Sequence, residues 1–503
     1  GVQTCALPIY FTGVFNPVWT YPDGMSWMRM LEDESKVGLH VALTPTWNET
    51  AYYADLVLPM GHSTERHDVQ SLETHSARWL SFRQPVFRAL ARLEGKPSED
   101  TRGFNPGEVW EEDEFWIELS WRIDPDGSLG IRKHFESPYR PGEKVSVEEQ
   151  YRHMFENSVP GLPEAASEKK MSPMEYMTRV GAHELPGEAY ELHRHEVELG
   201  AGEVPVVDPQ TGLAKVDGKV IGVAVDGAIR KGFPTPSRRI EIYSGILDQW
   251  GFTDEALPGV PASHVGPEAL DPEKGIYVLV PTFRLPTMIH SRSANSKHLM
   301  EISHSNPVWI HPEDADRHGI EDGSLVRVET EIGHFVNRAR VTDGIRTGVI
   351  ACSHHMGRWR KEDGPGSRWS SATVKFEDLP DGSTRMRRIT GSKPFESSDE
   401  DSARTWWDES GVHQNLAFPV QTDPVSGMHC WHQKVRLSVA QKGDQYGDVV
   451  VNREKSRQAH RNWLELARPA SPDRNDGLRR PREIPRPLGR APEAYRFKPE
   501  SGD

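Results

Sequence analysis

Residues 324–342 read SLVRVETEIGHFVNRARVT, and the reading of this stretch decides the fold. Two short strand-like runs, SLVRVETE and GHFVNRARVT, meet at a hairpin-like bend at Gly333. The EDGS just before them (Glu321–Ser324) has the composition of a second hairpin-like turn. Working outward, IYVLVPT (Ile276–Thr282) and GVIACSHH (Gly348–His355) have the same texture. So many short strands separated by turns predict a small closed β-barrel.

The first stretch differs. YFTGVFNP reads as a buried strand entering a turn, and DGMSWMRMLEDES as a helix with an Asp/Gly entry. VGLHVALTP is a second strand, and TWNETAYYADLVLP a short helix followed by a third. Strand–helix–strand spacing of this kind predicts a parallel sheet with covered faces. Between about residues 90 and 230 the pattern is less regular. EVWEEDEFWIELSWRI is a helix with Val109, Trp110, Phe115, Trp116, Leu119 and Trp121 at helical spacing, VDGKV signals a hairpin, and the remainder reads as insertions. The last fifty residues read as loop; residues 453–503 hold thirteen Lys/Arg against eight Asp/Glu, an extended arm or a disordered tail.

Composition narrows the function. A chain of 503 residues allows roughly three domains. Its net charge of −15 argues against nucleic acid as the main ligand. No run approaches the ~20 apolar residues of a membrane span, so membrane contact would go through a partner. Three cysteines (Cys5, Cys352 and Cys430) form neither a disulfide framework nor a CxxC pair.

Five stretches carry chemistry. GVFNP (Gly13–Pro17) is either a tight turn or a ligand turn at the carboxyl end of a strand. Glu49 and Thr50 in NETAYYADLVLP either cap a helix or hold a purine-like edge. FPTPSRRIEIYS (Phe233–Ser244) reads as a Pro-braced structural turn leading into a strand. In TFRLPTMIHSRSANSKHLMEI (Thr282–Ile302) a strand exits into a loop with Arg284, His290, Ser291, Arg292 and Asn295 and then enters a helix. Guanidinium, hydroxyl and backbone N–H groups at a helix start are how proteins hold pyrophosphate, the alternative being a solvated polar loop. ACSHHMGRW and SGVHQNLAFPVQTDPVSG add His354, His355, Gln414 and Asn415, donors and acceptors suited to a fused heterocycle. The adjacent histidines have no third metal ligand at an obvious spacing, so zinc is discounted and no metal ligand is assigned.

In this order, the patterns G-x-x-N-P, T-x-x-E-T-A, A-D-x-x-L-P with Glu65, F-P-T-P-S-x-x-I-E-x-Y-S, H-S-R-S-x-N, N-P-V-W-I-H-P-E-D-A, S-H-H-M-G, G-x-x-x-N-L and D-P-x-S-G resemble the C-terminal part of the dimethyl sulfoxide reductase family of molybdopterin oxidoreductases. The likeness is close over residues 10–75 and 230–440, nearest the thiosulfate and polysulfide reductase branch. It implies α/β plus β: a partial parallel α/β molybdopterin-binding domain (10–90), insertions and remaining oxidoreductase parts (91–270), a double-psi β-barrel that binds the dinucleotide (271–445) and a tail (446–503).

It implies two molybdopterin guanine dinucleotides around molybdenum or tungsten. Gly13, Asn16, Glu49 and Thr50 would serve the guanosine end of one. Ser291, Arg292, Asn295, His354 and Asn415 would serve the phosphates and pterin of the other, with Arg284, His290 and His355 in the same set and Lys434 in the closing strand. His413 departs from a common Asn, and Arg238–Arg239 from a common Gly-Lys.

The opening GVQTCALPI resembles a translated sequencing adapter, so Gly1–Ile9 is expected to be non-biological. The metal ligand and the cysteines of a 4Fe-4S cluster would then lie upstream, and the chain alone would have no turnover. The implied partners are a membrane anchor and an iron–sulfur electron-transfer subunit, in a prokaryotic complex on either the periplasmic or the cytoplasmic side. The implied reaction is a two-electron conversion of a small sulfur-type substrate. Two rivals are a cofactor-free scaffold subunit of a respiratory complex and a general binding module built on the barrel.

Overall fold

The computed structural model describes residues 9–70, 78–96, 100–187, 191–249, 253–259, 263–286, 290–293, 297–362, 372–391, 409–423 and 428–466. They divide into two compact units, one built from residues up to Leu58 together with those from Gly259 onward, the other from Pro59 to Pro258.

The first unit opens with strands β1 (Tyr10–Gly13), β2 (His40–Thr44) and β3 (Leu56–Pro59), in that order across one sheet. β1 and β2 are parallel, Tyr10 opposite His40 and Gly13 opposite Leu43. Every residue of β2 is buried, as a strand covered on both faces requires. Helices Pro17–Thr20 and Gly24–Leu31 cross between these strands and bury Val18, Trp19, Met25, Met28 and Leu31. The expected strand–helix–strand order is present.

The second unit holds an antiparallel sheet of β4 (Asp68–Gln70), β5 (Trp79–Arg83) and β6 (Ala182–Glu184). Around it lie helices Val147–Asn157, Leu162–Glu168 and Pro173–Val180, sharing a core of Leu80, Phe82, Phe155, Leu162 and Met177. The insertions expected over 91–230 therefore include a core of their own, assembled from pieces too far apart for local periodicity to reveal. Helix Glu112–Ile123 forms as predicted, but its buried face is Glu114, Ile117 and Ser120. The aromatic positions are only partly covered, because a polar network occupies the inner side.

Farther along, β7 (Val206–Val207), β8 (Leu213–Val216), β9 (Lys219–Val225) and β10 (Ala228–Arg230) form an antiparallel sheet. Asp217 and Gly218 make the expected hairpin turn, both left-handed at φ 48° and 77°. FPTPS folds as a turn, with the Phe233 N–H bonded to the Arg238 carbonyl at 2.8 Å. The strand expected after it is absent among the described residues: Ile240 and Ile242 are 73% and 71% exposed.

The barrel belongs to the first unit. Its strands are β11 (Ile276–Val280), β12 (Val308–Ile310), β13 (Leu325–Glu329), β14 (Gly333–Val341), β15 (Val349–Ala351) and, after the extension, β19 (Gln433–Val439). The extension is β16 (Trp359–Lys361), β17 (Ala372–Asp378), β18 (Ser383–Thr390) and β20 (Val449–Asn452). Pairing runs β12–β15–β11–β19–β13–β14, and β14 returns to β12, closing six strands; β20, β18, β17 and β16 continue outward from β14. Period-two alternation fills the interior with Tyr277, Leu279, Val326, Val328, Phe335, Val435 and Leu437. Gly333 makes the β13–β14 hairpin where expected, and a Cβ there would stand 1.9 Å from the Val450 carbonyl oxygen. EDGS is a turn, but it joins helix Pro312–Arg317 to β13 and makes no hairpin.

The loop-like reading of the chain's end is corrected for its first part. Arg453–Leu466 is a helix, with the Asn452 side chain accepting from the Lys455 N–H at 3.0 Å. It docks through Ser456 and Ala459 while most of its charges face solvent, which is why the charge density misled. Residues 467–503 lie outside the described residues. No helix among those described is long and apolar enough to cross a membrane.

Candidate cofactor-binding site

At the carboxyl end of β1 the backbone turns through Val14 at φ 51°, a left-handed conformation that costs a β-branched residue roughly 1–3 kcal/mol. His290 across the site is also left-handed, at φ 46°. Val14 and His290 both line a cavity of about 680 Å³, together with Asn16, Ser291, His429 and Trp431. Phe15, Tyr21 and Trp27 form an aromatic wall, with edge-to-face contacts at 5.4–6.3 Å.

Asn16 is set from below. Its Nδ2 donates to Glu49 Oε2 and to Ser291 Oγ, each at 2.8 Å, and its Oδ1 accepts from the Thr50 N–H and hydroxyl. Glu49 is wholly buried and saturated: Arg358 Nε lies 2.7 Å and 2.9 Å from its two oxygens, and the Trp359 N–H donates at 2.9 Å. Arg358, 3% exposed, also donates to the Ser291 and Trp47 carbonyls. Glu49 and Thr50, both 0% exposed, therefore act on the cavity through Asn16 and Arg358 instead of presenting an open edge. Arg358 is the hub that the sequence did not reveal; its only signal was its place directly after S-H-H-M-G.

Gly357 permits that hub. It is left-handed at φ 92°, and a Cβ would sit 2.2 Å from the Val412 carbonyl carbon. The 411–415 strip therefore packs directly on the histidine loop. His413 Nδ1 accepts from Trp359 Nε1 at 2.8 Å, and its Nε2 donates to the Trp19 carbonyl at 3.1 Å. Burial pushes His413 down to about 3, so it is neutral and clamps both tryptophan segments. Asn415 Nδ2 donates to the Trp19 and Thr20 carbonyls, one turn from Asn16. Asn306 fastens the histidine loop to the barrel by accepting from the Ser353 N–H at 3.0 Å.

His354 and His355 are buried, and His290 stacks on the first at 5.1 Å and meets the second edge-on at 4.6 Å. Burial first, and then the neighbouring imidazoles and Arg284, hold His354 down to about 3; burial, His290 and Arg284 hold His355 down to about 4. Of the remaining candidates, Gly13 and Arg284 are exposed, and Lys434 is exposed on β19 between buried Gln433 and Val435 and is not among the residues lining the cavity. The Arg292 side chain and Asn295 lie outside the described residues.

The residues fit a polar heterocyclic ligand. His354 Nδ1, Asn415 Oδ1, Gln421 Oε1 and His429 Nε2 are buried without a hydrogen-bond partner. His429 lines the cavity, His354 packs on Trp431, Asn415 bonds Thr20, and Gln421 lies between lining residues Val420 and Thr422. Each orphan costs roughly 1–3 kcal/mol, a penalty that a fused ring bearing N–H and carbonyl groups would relieve.

Comparison with known proteins agrees. Residues 278–381 match the molydopterin dinucleotide binding domain. The chain is 27% identical over 350 residues to "Probable dimethyl sulfoxide reductase chain YnfF" of Escherichia coli, covering 68% of this chain and 36% of that one. It is 24% identical over 477 residues to a tetrathionate reductase chain of Archaeoglobus fulgidus, covering 83% and 39%. Thiosulfate reductase molybdopterin-containing subunit PhsA of Salmonella typhimurium is 33% identical over 120 residues, covering 24% and 14%. The chain thus spans less than two fifths of the length of these relatives. The solved structure of acetylene hydratase from Pelobacter acetylenicus shares the fold at a TM-score of 0.50 and 17% identity, covering 86% of this chain and 44% of that one. With its parallel α/β sheet, its closed barrel and these relatives, the chain carries a molydopterin dinucleotide binding domain and is similar to the dimethyl sulfoxide reductase family of molybdopterin oxidoreductases.

Proposed function

We propose that this chain forms the dinucleotide-gripping part of a molybdenum or tungsten bis-molybdopterin guanine dinucleotide oxidoreductase. The reaction is a two-electron conversion of a small, sulfur-type substrate, with electrons exchanged through an iron–sulfur partner held on a membrane anchor. The observation that carries this reading is the group of unsatisfied buried polar atoms on His354, Asn415, Gln421 and His429, with His429 in the wall of the 680 Å³ cavity and the others next to its lining residues. The sulfur-type substrate is favoured by the tetrathionate and thiosulfate reductases among the relatives.

When bound, the group supplies two-electron redox chemistry at its metal; the protein supplies orientation and surroundings. Asn16 and Ser291, already bonded to each other, present a fixed amide and hydroxyl at the cavity wall. Neutral His354 offers a buried ring nitrogen to a ring N–H or carbonyl partner. Phe15, Trp27 and Trp431 exclude water from one side, which strengthens each polar contact.

The test is to express the full chain in a host that makes molybdopterin guanine dinucleotide and to assay the purified protein for fluorescent oxidised pterin, guanosine monophosphate and bound molybdenum or tungsten. Pterin should co-purify, and Trp431→Ala and Ser291→Ala should lower its retention severalfold. A folded wild-type chain releasing no pterin would overturn the reading.

A further inference from the structure

The three histidines beside the cavity have a second chemistry available. One ring nitrogen from each of His290, His354 and His355 lies within 4.8 Å of the others, with His354 and His355 buried and His290 exposed. We propose that, in the chain free of its organic cofactor, His290, His354 and His355 bind one borderline divalent cation such as Zn²⁺, with water in the fourth position. This inference does not depend on the proposed redox reaction.

The donor set suits such an ion. Neutral imidazole is the commonest protein ligand for zinc, and three histidines with an open position form a recognised zinc environment. His354 is 8% exposed, and its Nδ1 has no hydrogen-bond partner, an orphan that coordination would satisfy. Ser353 Oγ lies 3.1 Å from His355 Nδ1, the outer contact that orients a ligating imidazole and leaves Nε2 to coordinate. Tetrahedral coordination brings ligand nitrogens to ~3.3 Å from one another, so nitrogens now up to 4.8 Å apart must close by up to about 1.5 Å.

The adjacent residues in sequence gave only two of the ligands; the fold supplies the third from the other loop. Arg284 opposes the site. Its guanidinium is close enough to depress both buried histidines, yet it is exposed and screened by solvent.

The experiment titrates the full chain, purified without organic cofactor and treated with chelator, with Zn²⁺ alone in a calorimeter, and records the visible spectrum with Co²⁺. Wild type should take up one equivalent saturably and give the intense bands of tetrahedral Co²⁺. His290→Ala, which removes an exposed ring and leaves the core intact, should weaken binding about 100-fold. His354→Gln should do the same, and Ser353→Ala about 10-fold. Arg284→Ala should tighten it severalfold. Absence of a saturable equivalent in folded wild type would overturn the proposal, as would equal affinity in wild type, His290→Ala and His354→Gln. Zinc uptake with no pterin retention would leave this site standing and remove the cofactor reading; the converse would separate them the other way.

Discussion

Each unit buries an ionic cluster, and the two clusters are finished differently. In the first, Glu49 and Arg358 pair at 2.7 Å, and the surrounding residues leave His354, Asn415, Gln421 and His429 each with an unmet polar atom. In the second, Glu111 accepts from the His67 N–H and ring nitrogen and from the Thr101 hydroxyl, while Glu114 accepts from the N–H groups of Thr101 and Glu111. Burial alone would raise Glu111, but these bonds outweigh it and hold the carboxyl low; Glu114, with burial dominant, is pushed up to about 7. The carboxylates of both clusters are met by the chain, and Asn105 Oδ1 beside the second is unmet as well; what sets the first apart is the aromatic-walled cavity above it.

The largest effect should come from breaking the pair under the cavity. Arg358→Ala leaves a fully buried carboxylate without its counter-charge, and such losses cost about 3–5 kcal/mol. Urea denaturation of the full chain measures it, and a loss under about 1 kcal/mol would mean that Glu49 relaxes toward water. Pterin retention should fall with it, because Asn16 and Ser291 both lean on the pair. Glu111→Ala should cost about 3 kcal/mol by orphaning the His67 and Thr101 donors, yet leave pterin retention in the surviving folded protein unchanged. Loss of retention in Glu111→Ala would erase the distinction between the two clusters.

The same contrast explains what was legible beforehand. Barrel strands and the parallel sheet showed in local patterns of turns and apolar runs, and Asn16 showed because Gly-x-x-Asn-Pro is a contiguous turn. Its supports did not: Glu49 is 33 residues away and lies a further 309 from Arg358. His290 and His354 were each visible as residues, but their stacking depends on two loops leaving different barrel strands. The second unit's core was hidden for the same reason, with Phe82 and Phe155 meeting at 5.0 Å from separate elements. Left-handed Val14 had no signal at all, since nothing local favours that conformation in a valine.

A smaller, pH-dependent effect should separate the clamp from the pair. His413 is held down to about 3, so the folded chain keeps it neutral while the unfolded chain protonates it below about 6.5. The unfolded state thus binds more protons between those values, and stability falls as pH drops through that window, by up to about 1.4 kcal/mol per pH unit for this group. Arg358 opposes the charged imidazole as well. His413→Asn, which can keep one of the two clamp bonds, should flatten this part of the acid limb in a series of melts from pH 7 to 5. An unchanged slope would place the acid sensitivity elsewhere.

The smallest effect concerns the terminal helix. Ser456 Oγ and Ser26 Oγ both donate to Asp23 Oδ2, tying helix Arg453–Leu466 to helix Gly24–Leu31. Asp23 is 3% exposed, its Oδ1 has no partner, and burial raises its carboxyl above the ordinary range despite the two hydroxyls. Ser456→Ala removes one donor to the ionised form and should cost about 1 kcal/mol at pH 7. Because the lost bond favours the carboxylate, the variant's carboxyl should rise further. The deficit should therefore shrink as pH falls through the Asp23 titration. Parallel melts of wild type and variant at pH 7 and pH 5 measure this, and a deficit that grows on acidification would show that the hydroxyl serves the helix backbone and not the buried acid.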